Sequence, residues 1–99
     1  MRTMVKITMP VEAGNTAIQN GTLPKILGEA LERLKPEAAY FFAERGVRTA
    51  MLVVDVKDPS DIPTIAEPFF MGLNAAVDFT PVMNAEDLKK GLGKISQGV

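Results

Sequence analysis

Apolar and polar side chains alternate from Thr3 to Met9, with Val5, Ile7 and Met9 on one side of the chain and Met4, Lys6 and Thr8 on the other. A period of two ended by Pro10 predicts a first strand with one buried face. Gly14 and Asn15 then open a helical region that Asn20-Gly21 interrupts, which predicts a short helical turn around Thr16 to Gln19 and a fresh start beyond it. Thr22 is the expected N-cap of that second helix, with Pro24 in its first turn. Ile26, Leu27, Ala30, Leu31 and Leu34 recur at helical spacing and Pro36 ends the run. Glu29, Glu32, Arg33 and Lys35 fall on the remaining face, the pattern of a solvated surface.

Two β-favouring runs follow, Ala38 to Glu44 and Val47 to Val56, separated only by Arg45-Gly46. So short a gap with glycine second predicts a tight antiparallel hairpin, in which Glu44 faces Val47, Phe42 faces Thr49 and Tyr40 faces Met51. Beyond it, Asp58-Pro59-Ser60-Asp61 is a turn offering N-caps to a helix from Ile62 to Leu73. Pro68 inside that helix lacks the amide that would bond the Thr64 carbonyl, so a kink or break is expected there. Asn74 is the expected C-terminal cap. Ala76 to Met83 reads as a fourth strand, placed at an edge by Pro81, and Asn84 caps a last helix from Ala85 to about Ile95. Gly91, Gly93 and the SQGV tail predict a frayed end.

The order β, α, β, β, α, β plus a terminal helix is the split βαβ pattern of a ferredoxin-like α+β fold, with strand order 4, 1, 3, 2 and both main helices on one face. Ala39, Phe41, Ala43, Ala50, Leu52 and Val54 are expected on the helix side. Tyr40, Phe42, Glu44, Thr49, Met51 and Asp55 are expected on the other. The open face would then show Tyr40, Phe42, Met51, Val53, Met4 and Val82, an apolar patch large enough to need a cover. A second copy related by a two-fold axis is the simplest one, so a homodimer is expected.

Composition narrows the chemistry. A chain of 99 residues with 46% apolar and 23% charged residues is expected to form a single ferredoxin-like domain spanning residues 1–99. The net charge of −1 supplies no field for a polyanion, so nucleic acid is not an expected partner. The strands expected at the sheet centre also lack the aromatics of an RNA-binding platform. No apolar run approaches a membrane span and the N-terminus alternates, so neither membrane nor secretion is expected and the cytoplasm is the expected compartment. The absence of cysteine and histidine removes disulfides, thiol nucleophiles, serine-histidine triads, imidazole zinc sites and a histidine haem ligand. No metal or cofactor is expected.

The stretches PVEAGN, LKPEAAYFF, IAEPFF and PVMNAEDL, in this element order, resemble the dimeric α+β barrel (ferredoxin-like) superfamily, and within it a group of small uncharacterised bacterial proteins. The resemblance implies two subunits packed sheet against sheet. It also implies a range of chemistries, from cofactor-free monooxygenases and muconolactone-type isomerases to haem-dependent dismutases and ligand domains of transcription regulators, among which fold alone does not choose.

The candidate ligand-binding residues are Lys6, Tyr40, Phe42, Glu67, Phe70 and Asp78. An inward lysine on a central strand, with Asp78 or Thr80 across from it, is either an anion holder or base of lowered pKa, or half of a structural ion pair. Tyr40 and Phe42 are either the wall for a planar ligand or the core of an interface. Glu44 and Asp55 would add a carboxylate to the same chamber, or be solvated residues, Glu44 beside Arg45 or Arg48. Glu67, at the lip of a helix opened by Pro68, would border a pocket that Phe70 helps to line. Asn15 and Asn20 offer polar contacts or turn chemistry. The leading expectation is a homodimer that binds a small aromatic or acidic organic molecule, either between the second main helix and the sheet or inside the dimer barrel. The alternatives are a cofactor-free enzyme of isomerase or monooxygenase type with Lys6 or Glu67 as catalytic base, and a structural or regulatory interaction module without a pocket.

Overall fold

Strand β1 (Arg2–Thr8) carries the alternation into space. Thr3, Val5 and Ile7 are buried on one side, and Arg2, Met4, Lys6 and Thr8 stand half-exposed on the other. The structure is a computed structural model and describes residues 1–96.

Helix α1 (Val11–Gln19) is longer than the expected turn at Thr16 to Gln19 and begins directly after Pro10. The Pro10 carbonyl accepts the Gly14 amide at 2.8 Å, which makes the proline a starting point for the helix as well as the end of the strand. Arg48 lies across Gly14. A Cβ there would come within 2.8 Å of the Arg48 Nη1. The guanidinium donates to Val11 O at 3.4 Å and to Asn15 Oδ1 at 3.0 Å, tying α1 to a strand more than thirty residues away.

Helix α2 (Thr22–Leu34) starts one position earlier than expected, with Gly21 rather than Thr22 as its N-cap. Gly21 takes φ +79°, which glycine adopts without strain, and Asn20 Oδ1 accepts the Thr22 amide at 2.9 Å, supplying the bond a capping hydroxyl would have made. The helix closes on Lys35 in the left-handed region, just before Pro36.

The hairpin forms in the expected register. Strands β2 (Ala38–Glu44) and β3 (Val47–Asp55) pair Glu44 with Val47, Phe42 with Thr49 and Tyr40 with Met51. Arg45 and Gly46 both take positive φ, 53° and 77°, the two-residue turn whose twist matches that of the strands.

Helix α3 (Asp61–Leu73) runs through Pro68 without a break. Ile65 and Ala66 before the proline and Phe69 and Leu73 after it are buried, so both halves of the helix pack into the core. The carbonyl left without its amide belongs to Thr64, on an exposed turn open to solvent. Asn74 ends the helix at φ +54°. The preceding turn is held by the Asp58 carboxylate, which accepts from the amide and hydroxyl of Ser60.

Strand β4 (Ala76–Pro81) and helix α4 (Ala85–Ser96) complete the chain. Asn84 and Asp87 cap α4 reciprocally, with Asp87 N donating to Asn84 Oδ1 at 2.8 Å and Asn84 N to Asp87 Oδ2 at 3.1 Å. The helix continues through Gly91 and Gly93 to Ser96. The expected frayed tail falls mainly on residues 97–99, outside the described residues.

The sheet order is β2-β3-β1-β4, all antiparallel, so the fold is α+β and ferredoxin-like with a C-terminal helix. Pro81 stands on an edge strand as expected. The core lies between one sheet face, with Val5, Ile7, Ala50, Leu52 and Val54, and the helix residues Ala17, Ala30, Ile65, Phe69 and Leu73. That helix layer reaches Ala39 of β2 and stops short of Phe41. Phe41 projects on the core side, opposite fully buried Ala50, yet is 54% exposed. Among the described residues no helix is long and apolar enough to cross a membrane.

Adjacent phenylalanines provide the test of this packing. Phe69 is 0% exposed and Phe70 is 41% exposed. In urea denaturation, Phe69→Ala is expected to lose about 3–5 kcal/mol and Phe70→Ala less than about 1 kcal/mol. Pro68→Ala is expected to stabilise the fold by about 1–3 kcal/mol, because it restores a helical amide without enlarging the side chain.

Candidate functional site

Arg2, Met4, Lys6 and Thr8 of β1, Met51 and Val53 of β3, Tyr40 and Phe42 of β2, and Asp78 and Thr80 of β4 share the sheet face opposite the one on which α1, α2 and α3 pack. Tyr40 is 61% and Phe42 40% exposed there, with Met51, Val53 and Met4 half-buried on the strands beside them and Val82 half-buried at the opposite edge. Four of the six candidates, Lys6, Tyr40, Phe42 and Asp78, therefore lie on one surface.

Lys6 sits opposite Asp78 in register, but its ammonium turns the other way and donates to Glu44 Oε1 at 2.6 Å. This bridge crosses β3 diagonally. Lys6 stands level with Met51 and Glu44 level with Val47, so Thr49 lies midway beneath the pair. Thr49 is only 3% exposed on an otherwise open face, and its hydroxyl donates back to Val47 O at 3.0 Å. The arrangement is a polar island of one cation, one anion and one satisfied hydroxyl, bordered by aromatic and methionine side chains. Glu44 is thus engaged by Lys6 and not by Arg45 or Arg48. Among the described residues Asp78 makes no ion pair.

Asp55 is remote from this island. It faces Arg2 at the far end of β3, eight positions from Val47 and so about 27 Å along the strand. Its carboxylate accepts from the N-terminal ammonium at 2.7 Å, and that hydrogen bond, with the ammonium's charge, holds its pKa below the ordinary carboxylate value. At the same end Arg2 donates to Glu37 at 2.5 Å and to Asp87 at 2.6 Å, which raises the guanidinium pKa still further, with the Glu37 bond contributing most. Sequence pattern places Arg2 on the face of Lys6 two strand steps away. It does not disclose Asp87, which arrives from the far end of the chain.

Glu67 and Phe70 belong to the other layer. The α3 side chains that meet the sheet are Ile65, Phe69 and Leu73, packed with Val5, Ile7 and Leu52 on the core face. Glu67 and Phe70 are exposed away from it, so the sheet stands between them and Lys6. Because α3 is unbroken at Pro68, the helix opening expected beside Glu67 does not form. Asn15 and Asn20 hold Arg48 and the start of α2. A surface depression of about 470 Å³ lies at the base of α4, lined by Met1, Arg2, Pro81, Val82, Met83 and Asp87, away from the Lys6 island.

No family model, no curated protein and no solved structure matches this chain.

A double-mutant cycle on Lys6→Met and Glu44→Gln is expected to give a coupling of about 0.2–1 kcal/mol in the free chain, the range of part-exposed ion pairs. The depressed pKa values of Asp55 and Asp58 make stability pH-dependent in one direction. Their contribution is complete above the unfolded carboxylate value near about 4 and is lost as the pH falls through the lower folded values. Acid titration of the melting temperature is expected to show that loss, and Asp58→Asn to flatten it.

Proposed function

We propose that the chain functions as a homodimer whose two open sheet faces meet and enclose a small aromatic acid, in the manner of the dimeric α+β barrels. The observation that carries this reading is the face itself: exposed Tyr40 and Phe42 beside an ion pair, on a sheet whose α1, α2 and α3 pack on the other side. Apolar surface of that extent is costly in water, and a two-fold pairing removes it from both copies at once.

A planar ligand would stack on Tyr40 and Phe42, and its carboxylate would compete with Glu44 for the Lys6 ammonium. In this reading Lys6 anchors an anion. It does not act as a base, because its ammonium already holds a carboxylate at 2.6 Å. A second reading, an interaction module without ligand, is favoured by the same bridge, which leaves Lys6 satisfied before any ligand arrives.

Sedimentation at micromolar concentration is expected to give a dimer, and Phe42→Asp to shift it to monomer. A panel of aromatic and hydroxy acids is expected to raise the dimer's melting temperature, by the equivalent of about 2.7 kcal/mol at a hundred times Kd. Lys6→Met is expected to abolish that rise while leaving the dimer intact. A dimer that no acid stabilises favours the ligand-free module, and a monomer removes both readings.

A further inference from the structure

We propose that α4 is an exchanged arm that packs on the core-side strip of β2 in the partner subunit and completes the helix layer there. The inference rests on the homodimer proposed above and names the part of the chain that locks it.

The strip and the arm are each incomplete, and in complementary ways. The three helices α1, α2 and α3 cover Ala39 but leave the Phe41 to Ala43 end of the core side of β2 uncovered, so Phe41 is exposed although it points where core residues point. Helix α4 has no buried residue. Its apolar side chains Leu88, Leu92 and Ile95 recur at four and three positions and form one exposed stripe. The layer lacks a helix, and this helix lacks a layer.

Helix α4 is also held in a fixed direction. Its capping box and the bond from Arg2 to Asp87 tie its first turn to the open-face side of the sheet, the side on which the second copy stands in the proposed dimer. From there it leads away from its own body. The radius of gyration is 15.9 Å, against about 13 Å for a compact chain of this length, and the long axis reaches 56 Å.

An arm of 12 residues, about 18 Å long, contributes twice under two-fold symmetry, once as arm and once as receiving strip.

The test uses the full chain and a chain ending at Met83. Far-UV circular dichroism should show the truncated chain folded, since α4 buries nothing in the single subunit. Sedimentation is expected to show its dimer dissociating at least tenfold more readily, and Leu88→Glu with Leu92→Glu in the full chain to do the same. In a dimer of isotope-labelled and unlabelled full chains, isotope-filtered NOEs are expected from the methyl groups of Leu88, Leu92 and Ile95 to the ring of Phe41 across the interface. An unchanged dimer after truncation, or no interchain NOE to Phe41, overturns the arm and leaves the homodimer standing. NOEs confined to one chain mean the arm folds onto its own subunit and overturn the exchange. A monomeric full chain overturns the arm and the homodimer together.

Discussion

The packing of Val5, Ile7, Ala50 and Leu52 against Ile65, Phe69 and Leu73 is the contact on which the rest of the molecule depends. It fixes the faces of the two central strands, and with a period of two this also fixes what stands on the reverse side. Each large side chain removed from water here contributes about 1.5–3 kcal/mol. A slip of one residue would carry that burial to the open face and bring Lys6 into the core. The exposed aromatics and the polar island are therefore consequences of the core, held in place by burial they do not share.

That constraint leaves β2 in an unusual position. As an edge strand with little helix above it and none below, it exposes Tyr40, Phe41 and Phe42 in succession, with its outer backbone edge unpaired as well. Edge strands of this kind are where proteins associate. The Lys6 to Glu44 bridge reaches from the centre of the sheet to the inner end of the hairpin and roofs Thr49. It pairs the Lys6 charge on the central face, while Asp78 across from it makes no ion pair among the described residues.

Long-range polar contacts set the positions of the peripheral helices. Arg48 fills the groove over Gly14 and bonds α1 through Val11 and Asn15, while Arg2 gathers Glu37 and Asp87 and so aims α4. Exposed ion pairs of this sort add little stability each. Their effect is geometric: they choose one orientation among many of similar energy.

Local signals determined the elements and the hairpin register. Alternation in Thr3 to Met9, the Arg45-Gly46 turn, and the Asn74 and Asn84 caps act over a few residues, and a chain carries such information in its order. Element order and strand faces also made the ferredoxin-like sheet legible, and with it the placement of Lys6, Tyr40, Phe42 and Asp78 on one surface. Tertiary structure alone decided the rest. Pro68 stays within an unbroken helix that packs on the core on both sides of it, and Lys6 pairs with Glu44 across β3 instead of with Asp78, its register neighbour on β4. Phe41 is exposed because the helix layer ends before it, and α4 stands clear because its first turn is tied to Arg2. Each of these depends on groups far apart in the chain, whose meeting only the completed packing specifies.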